Sequence, residues 1–279
     1  MDLRHEPIRV LIGYDGSESA DQVCELVAGI DWPPGSELRV VTAYPPYLPG
    51  EDWPGGGVEP TVAQGVFETE RSEAEDRAKA AADRIRRQGV TVTSSALMGR
   101  AASILLGEVA ARSTDLLIVG SRGLGPITSA LVGSVSAEVI DGAACPVLLV
   151  RRPAIDRVLL ADDGSAGARA AAALLAWPVF ATSQVRVVTV SETGAHATEA
   201  TPARSATEGL TAAGRAYEID VRSGDPAHQI VQAASDWKAD LIVMGSRGRT
   251  GLARLLLGSV AHKVVEHAPC SVLIKRLPA

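Results

Sequence analysis

Two glycine-rich segments have the residue types and the spacing of a phosphate-binding site. The first glycine loop is GSRGLGPITSALVGS, from Gly120 to Ser134, and the second glycine loop is GSRGRTGLARLLLGS, from Gly245 to Ser259. Both fit Gly-x2-Gly-x9-Gly-Ser, and each follows an apolar run, DLLIV or DLIVM. Glycine lets a ligand approach the backbone closely, and a Gly-Ser pair that opens a helix presents free N–H groups to an anion. We therefore interpret each loop as a candidate phosphate site.

Several residues in these loops have two interpretations. The Ser134 hydroxyl either caps the following helix or donates to a phosphate oxygen. Arg122 and Arg247 either meet phosphate oxygens or stay exposed in the turn. The glycines also suit a turn and a helix start without a ligand, but the repetition of the whole pattern favours a site. Neither GxxxxGK[ST] nor GxGxxG occurs, since GLGPIT at 123–128 has Thr where the third glycine belongs.

The sequence contains an internal repeat, which indicates two domains of the same kind. RVLIGYDGS at 9–17 returns as RVLLADDGS at 157–165, and CPVLLVRR at 145–152 returns as CSVLIKR at 270–276. We place the boundary in RRPAID, so that the domains span 1–152 and 153–279. The main difference is the Pro/Gly-rich stretch at 45–60, which the second half lacks and which predicts a surface loop.

The elements that position these loops follow from hydrophobic periodicity. In the first helical segment, Val23, Leu26, Val27 and Ile30 recur at the spacing of one helical face, and Ser17 is the candidate N-cap. Near-continuous apolar strands that alternate with helices are typical of a doubly wound parallel sheet. We predict an α/β fold of two tandem Rossmann-like domains, each with five parallel strands. Ligands of such sheets bind beyond the carboxyl ends of the strands.

Composition excludes several classes of partner. Hydrophobic residues make up 46% of the 279 residues and aromatic residues only 4%, so the core is aliphatic. A net charge of −6 argues against a nucleic-acid or membrane surface, and no apolar run approaches the roughly 20 residues of a membrane span. The start lacks the apolar core of a secretory signal. Cys24, Cys145 and Cys270 have no CxxC spacing, and the latter two are interpreted as core residues. We expect a cytoplasmic protein.

Three features together resemble the universal stress protein family, in a tandem form that covers essentially the whole chain. They are the opening strand that ends in Asp-Gly-Ser, the glycine pattern and the closing CPVLLV. The pattern is the one that marks ATP-binding members of that family, which also has members without nucleotide. The resemblance implies a fold like that of the adenine nucleotide alpha hydrolases, with one ATP per domain, with or without Mg²⁺. It also implies a role in stress adaptation, packing of the domains through VLLV and VLIK, and a homodimer.

By position, the resemblance assigns residues to the adenosine end of each site. An acidic group suits ribose hydroxyls, although an Asp-Gly pair also suits a plain turn. The adenosine end comprises Asp15 and Asp163, with the base against the backbone of Ala43 and Val190 and the ribose beside Gly99 and Gly224. The preceding strand residues Gly13 and Ala161 are included with them.

The resemblance assigns the phosphates to the two glycine loops and the helix starts that follow. In the first domain these residues are Gly120, Gly123, Gly133, Ser134, Val135 and Ser136. In the second domain they are Gly245, Gly248, Gly258, Ser259, Val260 and Ala261. From their place in the turn, Arg122 and Arg247 are added as candidates. Ser136 has a hydroxyl where Ala261 has none, so the second site is expected to bind phosphate slightly less tightly.

Three functions are compatible with such a chain. The first is an ATP-binding regulator or sensor, the second a slow ATPase or autophosphorylating enzyme, and the third an interaction scaffold without nucleotide. Phosphoryl transfer needs a group that activates the nucleophile. His262 and His267 follow the second glycine loop, but Ala137 and Gly142 stand at those places in the first half. We therefore assign no catalytic residue and no metal ligand, and favour the regulator; the paired glycine pattern argues against the scaffold.

Overall fold

The computed structural model describes residues 6–46, 60–123, 132–191, 204–246 and 257–276. The first half contains β1 (Arg9–Gly13), α1 (Glu18–Gly29), β2 (Glu37–Tyr44), α2 (Pro60–Arg84), β3 (Thr91–Met98), α3 (Ala101–Arg112), β4 (Leu116–Gly120), α4 (Ser134–Gly142) and β5 (Val147–Val150). The second half contains β6 (Arg157–Ala161), α5 (Ala166–Leu174), β7 (Gln184–Ser191), α6 (Arg204–Ala212), β8 (Glu218–Ser223), α7 (Pro226–Asp236), β9 (Leu241–Gly245), α8 (Ser259–His267) and β10 (Ser271–Lys275). A short 3-10 turn at Pro178–Phe180 precedes β7.

All ten strands join one sheet in the order β3-β2-β1-β4-β5-β10-β9-β6-β7-β8. Within each half every strand pair is parallel, which confirms the predicted fold class of two doubly wound five-stranded units. The halves meet where β5 pairs antiparallel with β10, with Leu148 opposite Leu273. These are the strands through which the resemblance implied that the domains pack. Because this joint is antiparallel, the carboxyl ends of the strands point to opposite edges of the sheet in the two halves.

Helices cover both faces of the sheet. On one face, the core cluster that includes Ile12 also contains residues of α1, α2, α5 and α6, and on the other face the cluster that includes Leu11 contains residues of α3, α4, α7 and α8. Every residue of β4 and β5 is buried, which explains their continuous apolar sequence. The free cysteines Cys24, Cys145 and Cys270 are also buried, and burial raises the pKa of the Cys145 thiol to about 11, as for a core residue.

The helices that follow β1 and β6 both begin at a serine N-cap. The Ser17 hydroxyl accepts a hydrogen bond from the Ala20 N–H, which confirms the predicted N-cap of α1. Ser165 caps α5 in the same way, through the Ala168 N–H. Residues 47–59 of the predicted surface loop lie outside the described residues, and its last residue, Pro60, is the first residue of α2. In the described part of the chain, no helix is both long and apolar enough to cross a membrane.

Candidate functional site

Each half brings its candidate residues together where the carboxyl ends of the parallel strands meet. The Gly99 N–H, just after β3, donates to the Tyr44 carbonyl at the end of β2, at 2.9 Å. The Ser121 N–H, just after β4, donates to the Val150 carbonyl at the end of β5, at 3.0 Å. The equivalent bonds of the second half join Gly224 to Ser191 at 3.0 Å and Ser246 to Lys275 at 2.9 Å. The ends of neighbouring strands therefore lie side by side at one edge of each half.

Backbone conformation accounts for the two glycines assigned to the ribose. Gly99 has φ of 144° and Gly224 has φ of 128°, conformations that residues with a side chain rarely adopt. A glycine is therefore required at both turns whether or not a ligand binds.

The aspartates after β1 and β6 stabilise the turns that carry them. Asp15 Oδ1 accepts a hydrogen bond from the Ser17 N–H at 3.0 Å, and Asp163 Oδ1 accepts one from the Ser165 N–H at 3.0 Å. One carboxylate oxygen of each aspartate thus serves the turn, as the alternative interpretation of the Asp-Gly pair requires. The second oxygen of Asp15 faces the first glycine loop, because a Cβ built on Gly123 would lie 2.7 Å from Asp15 Oδ2.

The glycines that end β4 and β9 are explained by packing against the first turn of a helix. A Cβ on Gly120 would lie 2.8 Å from Ser19 Oγ and 2.9 Å from the backbone carbon of Ser19. A Cβ on Gly245 would lie only 2.6 Å from the backbone carbon of Gly167 in α5. Glycine at these two positions therefore lets α1 and α5 pass directly over the strand ends.

Three serines hold the start of the first glycine loop. Ser17 Oγ donates to the Arg122 carbonyl at 3.3 Å, and the Arg122 N–H donates to Ser19 Oγ at 3.2 Å. The hydroxyls of Ser19 and Ser121 lie 3.3 Å apart. The backbone of Arg122 is therefore fixed on both sides, while its side chain is exposed. The sequence pattern missed Ser19 and Ser121, and the second half has Gly167 in place of Ser19.

The glycine at the start of α4, by contrast, is not explained by packing against the described residues. Gly133 is the N-cap of α4, with φ of −68° and ψ of 151°, a conformation open to any residue. A Cβ there would meet its nearest neighbour, the Arg122 Cα, at an ordinary 3.5 Å. Gly258 caps α8 with nearly the same φ of −64° and ψ of 154°. Neither cap has a side chain over the free N–H groups of the first helical turn.

The hydroxyls beside these caps have different environments. Ser134 is the first residue of α4 and is exposed, so the cap position belongs to Gly133 and not to Ser134. Ser136 is buried, and its hydroxyl donates to the Gly120 carbonyl at 2.7 Å. The difference between Ser136 and Ala261 therefore changes a bond between helix and strand. The role of Ser136 as a phosphate contact stays a prediction.

The remaining predicted site residues lie at the same two edges. Gly13 and Ala161 end β1 and β6, Ala43 and Val190 lie one residue before the ends of β2 and β7, and Val135, Val260 and Ser259 lie in the first turns of α4 and α8. Arg247 and Gly248 lie outside the described residues. No three His, Cys, Asp or Glu side chains are placed to hold a metal ion in the described ranges.

The second half has an acidic residue at its strand end that sequence reasoning left without a role. Asp162 follows β6, and its side chain is only 3% exposed. Burial raises the pKa of the Asp162 carboxyl, the neighbouring Asp163 raises it further, and the Gly164 N–H and Arg169 act in the opposite direction. The first half has Tyr14 at this position, so the doubled Asp-Asp in RVLLADDGS was the available signal.

The sequence model of the Universal stress protein family matches the chain twice, over residues 8–151 and 154–276. The chain belongs to the universal stress protein family. A universal stress protein of Mycolicibacterium smegmatis is 26% identical to it over 291 residues, and the match covers 96% of each chain. Universal stress protein MJ0531 of Methanocaldococcus jannaschii is 52% identical over 59 residues, which are 21% of this chain. That match spans only 35% of the relative's own length.

Solved structures of universal stress proteins share the fold of the whole chain. One from Archaeoglobus fulgidus superposes with a TM-score of 0.72 at 23% identity, and the match covers 96% of this universal stress protein and 98% of that chain. One from Pseudomonas aeruginosa gives a TM-score of 0.61 at 18% identity, with 96% and 92% covered. At these identities the likeness is one of fold.

Proposed function

We propose that each domain of this universal stress protein binds one ATP, and that the protein acts as a nucleotide-dependent regulator in stress adaptation. The observation that carries the proposal is the pair of glycine N-caps, Gly133 and Gly258. At a helix N-cap, the side-chain oxygen of Ser, Thr, Asp or Asn accepts from a free N–H of the first turn, whereas Gly, which is also common there, leaves those groups free. Here both halves leave that position without a side chain, although the backbone would accept one.

A bound phosphate accounts for the missing caps. The first-turn N–H groups of α4 and α8 have no partner within their helices and lie at the positive end of the helix dipole. A phosphate oxygen can accept from these N–H groups, but only if no cap side chain fills the space. The glycines that end β4 and β9 do not bear on this point, because α1 and α5 already require them.

The other end of each site supports a nucleoside as the remainder of the ligand. The backbone turns of Gly99 and Gly224 and the carboxylates of Asp15 and Asp163 lie on strand ends at the same edge as the glycine loops. A carboxylate at the end of the first strand suits the hydroxyls of a ribose. The family resemblance of the glycine pattern is what selects ATP among nucleotides, and Mg²⁺ would accompany its phosphates through water.

The polar groups near the described loop residues favour binding over turnover. Ser17, Ser19 and Ser121 already hydrogen-bond within the protein. On α8, the ring nitrogen of His262 lies 3.4 Å from a Glu266 carboxylate oxygen one helical turn away, and His262 is exposed. These groups supply no base positioned on a phosphate, so we expect a sensor with slow hydrolysis at most. Association into a homodimer and a cytoplasmic location are part of the same proposal.

The test is to denature freshly purified protein and to identify the released nucleotide by mass and stoichiometry. About two ATP per chain are expected, and about one after either Gly133→Asp or Gly258→Asp, since each fills one cap. Calorimetry with added ATP covers the case of nucleotide lost during purification. No released nucleotide together with no binding of added ATP would refute the proposal, whereas released ADP would favour the enzyme.

A further inference from the structure

The two candidate sites differ at the residue that follows their first strand. In the first domain this is Tyr14, whose hydroxyl donates to Asp21 Oδ1 at 2.9 Å, and Arg84 also donates to Asp21. Burial raises the pKa of Tyr14 to about 12, so this residue stays neutral at ordinary pH. The Arg84 guanidinium lowers the pKa of the Asp21 carboxyl, so the acid is ionised and paired. The first domain therefore has a satisfied polar cluster at this place.

In the second domain the same place holds a carboxylate with an unpaired oxygen. Asp162 Oδ1 accepts from the Gly164 N–H at 2.9 Å, but Oδ2 is buried and has no hydrogen-bond partner among the described residues. On the neighbouring strand, Thr189 is one residue past the Ala161–Val188 pair, and its buried hydroxyl also lacks a partner. Thr42 in the first domain is likewise unpaired, so the carboxylate is what distinguishes the second domain.

The charges around Asp162 leave it only partly compensated. On its own segment, Asp163 follows directly, and on α5 Arg169 stands where the first domain has Asp21. The exposed Arg169 side chain donates a hydrogen bond to the Gly164 carbonyl at 3.2 Å, so it is only partly available to Asp162. The two neighbouring strands add no charge: β7 has Thr189 at this level, and the end of β9 is uncharged. On α6, the described side chains that face the core are uncharged, and Glu208 is exposed.

Asp162 also lies close to where the second glycine loop begins. Strand β6 pairs with β9 in a register that aligns Leu160 with Val243, and Asp162 and Gly245 each follow two residues further along their chains. Neighbouring parallel strands are about 4.8 Å apart. Phosphates bound at this loop would bring negative charge near a buried carboxylate, and a like charge favours the protonated acid.

We propose that the second domain takes up a proton at Asp162 when it binds nucleotide, so that this site binds more tightly as the pH falls while the first does not. The proposal rests on nucleotide binding at the second glycine loop. Over the pH range between the pKa of Asp162 in the free protein and its pKa in the bound protein, the affinity of the second site for ATP falls by up to about tenfold for each unit that the pH rises.

The experiment compares the two sites in the full chain, one at a time. Gly133→Asp leaves only the second site, and Gly258→Asp leaves only the first. ATP binding to each variant is measured by calorimetry from pH 5 to pH 8, in pairs of buffers that differ in ionisation enthalpy, which yields the protons taken up. Because phosphate groups themselves titrate near pH 6, the first site serves as the control for the ligand. The isosteric Asp162→Asn is then added to Gly133→Asp.

The expected result is an excess proton uptake at the second site, which disappears with Asp162→Asn together with the extra pH dependence. Equal proton uptake at the two sites would overturn the inference and leave nucleotide binding intact, as would an excess that persists in Asp162→Asn. Binding at neither site at any pH would refute the proposed function and this inference together. Thermal unfolding of each variant confirms that the measured protein is folded, and the measurement with Asp162 in place does not depend on the substitution.

Discussion

Replacing Gly133 by Asp should show whether glycine is needed at this position for ligand binding or for folding. The backbone at this N-cap suits any residue, and a Cβ would meet ordinary contacts at 3.5 Å or more. Asp is among the best N-cap residues and exceeds Gly by a few tenths of a kcal/mol. A negative charge at the helix start adds a similar amount through the dipole. The free energy of unfolding should therefore rise by about 0.5–1 kcal/mol.

The same substitution should remove nucleotide from the first site. The new carboxylate occupies the space over the N–H groups of α4, where we place a phosphate. Two unit charges 4 Å apart at an effective dielectric constant of 20 repel with about 4 kcal/mol. That energy corresponds to about a thousandfold loss of affinity. The assays are calorimetry with ATP and urea unfolding on the same preparation.

The comparison with Gly120→Ala shows whether the reasoning holds. At Gly120 a Cβ would lie 2.8–3.0 Å from Ser19, including its backbone, so this variant should lose stability and binding together. Gly133→Asp should lose binding while it keeps or gains stability. If Gly133→Asp binds ATP as tightly as the unaltered chain, no phosphate lies at this helix start and the argument from the empty cap is wrong.

Three further outcomes follow from single contacts. Gly245→Ala should destabilise the protein to urea by at least about 2 kcal/mol, since its Cβ would lie 2.6 Å from the Gly167 backbone; a smaller loss would show that α5 can move. Ser136→Ala should cost about 1 kcal/mol through its bond to the Gly120 carbonyl, with ATP affinity unchanged; a drop in affinity would show it to be a phosphate contact. Asp162→Asn should stabilise the ligand-free protein by about 1–2 kcal/mol at pH 7. Its folded pKa is raised, so the acid's contribution is present at low pH and lost as the pH rises, and the gain should vanish near pH 4; a pH-independent difference would contradict this.

Much of the fold could be predicted from local patterns. The apolar runs around Leu117 and Ile242 were long enough to identify buried parallel strands, and the face formed by Val23 and Val27 identified α1. Ser17 was identified as an N-cap from its place before that face, and its hydroxyl does cap α1. Such features are readable because hydrophobic periodicity and capping depend on residues a few positions apart. The repetition of the whole pattern extended these predictions to the second half.

The role of each glycine could not be predicted in the same way. In the sequence, Gly120, Gly123 and Gly133 belong to one pattern and look alike. The structure separates them, because Gly120 lies under the first turn of α1, Gly123 faces Asp15, and a Cβ on Gly133 would meet the described residues only at 3.5 Å or more. For Gly120 and Gly123, the atoms that an added side chain would strike belong to Ser19 and Asp15, about a hundred positions away in the chain. Only their assembly at the sheet edge decides whether a glycine serves packing or leaves space for a ligand.

The sequence by itself determined the two repeated domains, their α/β class and the strand ends at which a ligand would bind, since these follow from short-range periodicity and a repeated motif. Only the tertiary structure decided the environment of the residues at which the two sites differ. Tyr14 and Asp162 occupy equivalent positions, and the sequence around Asp162 does not show that this residue is only 3% exposed. Its burial arises from the packing of β7, β9 and α5 around the end of β6, and burial is what turns an ordinary surface-type residue into a carboxylate whose charge is costly.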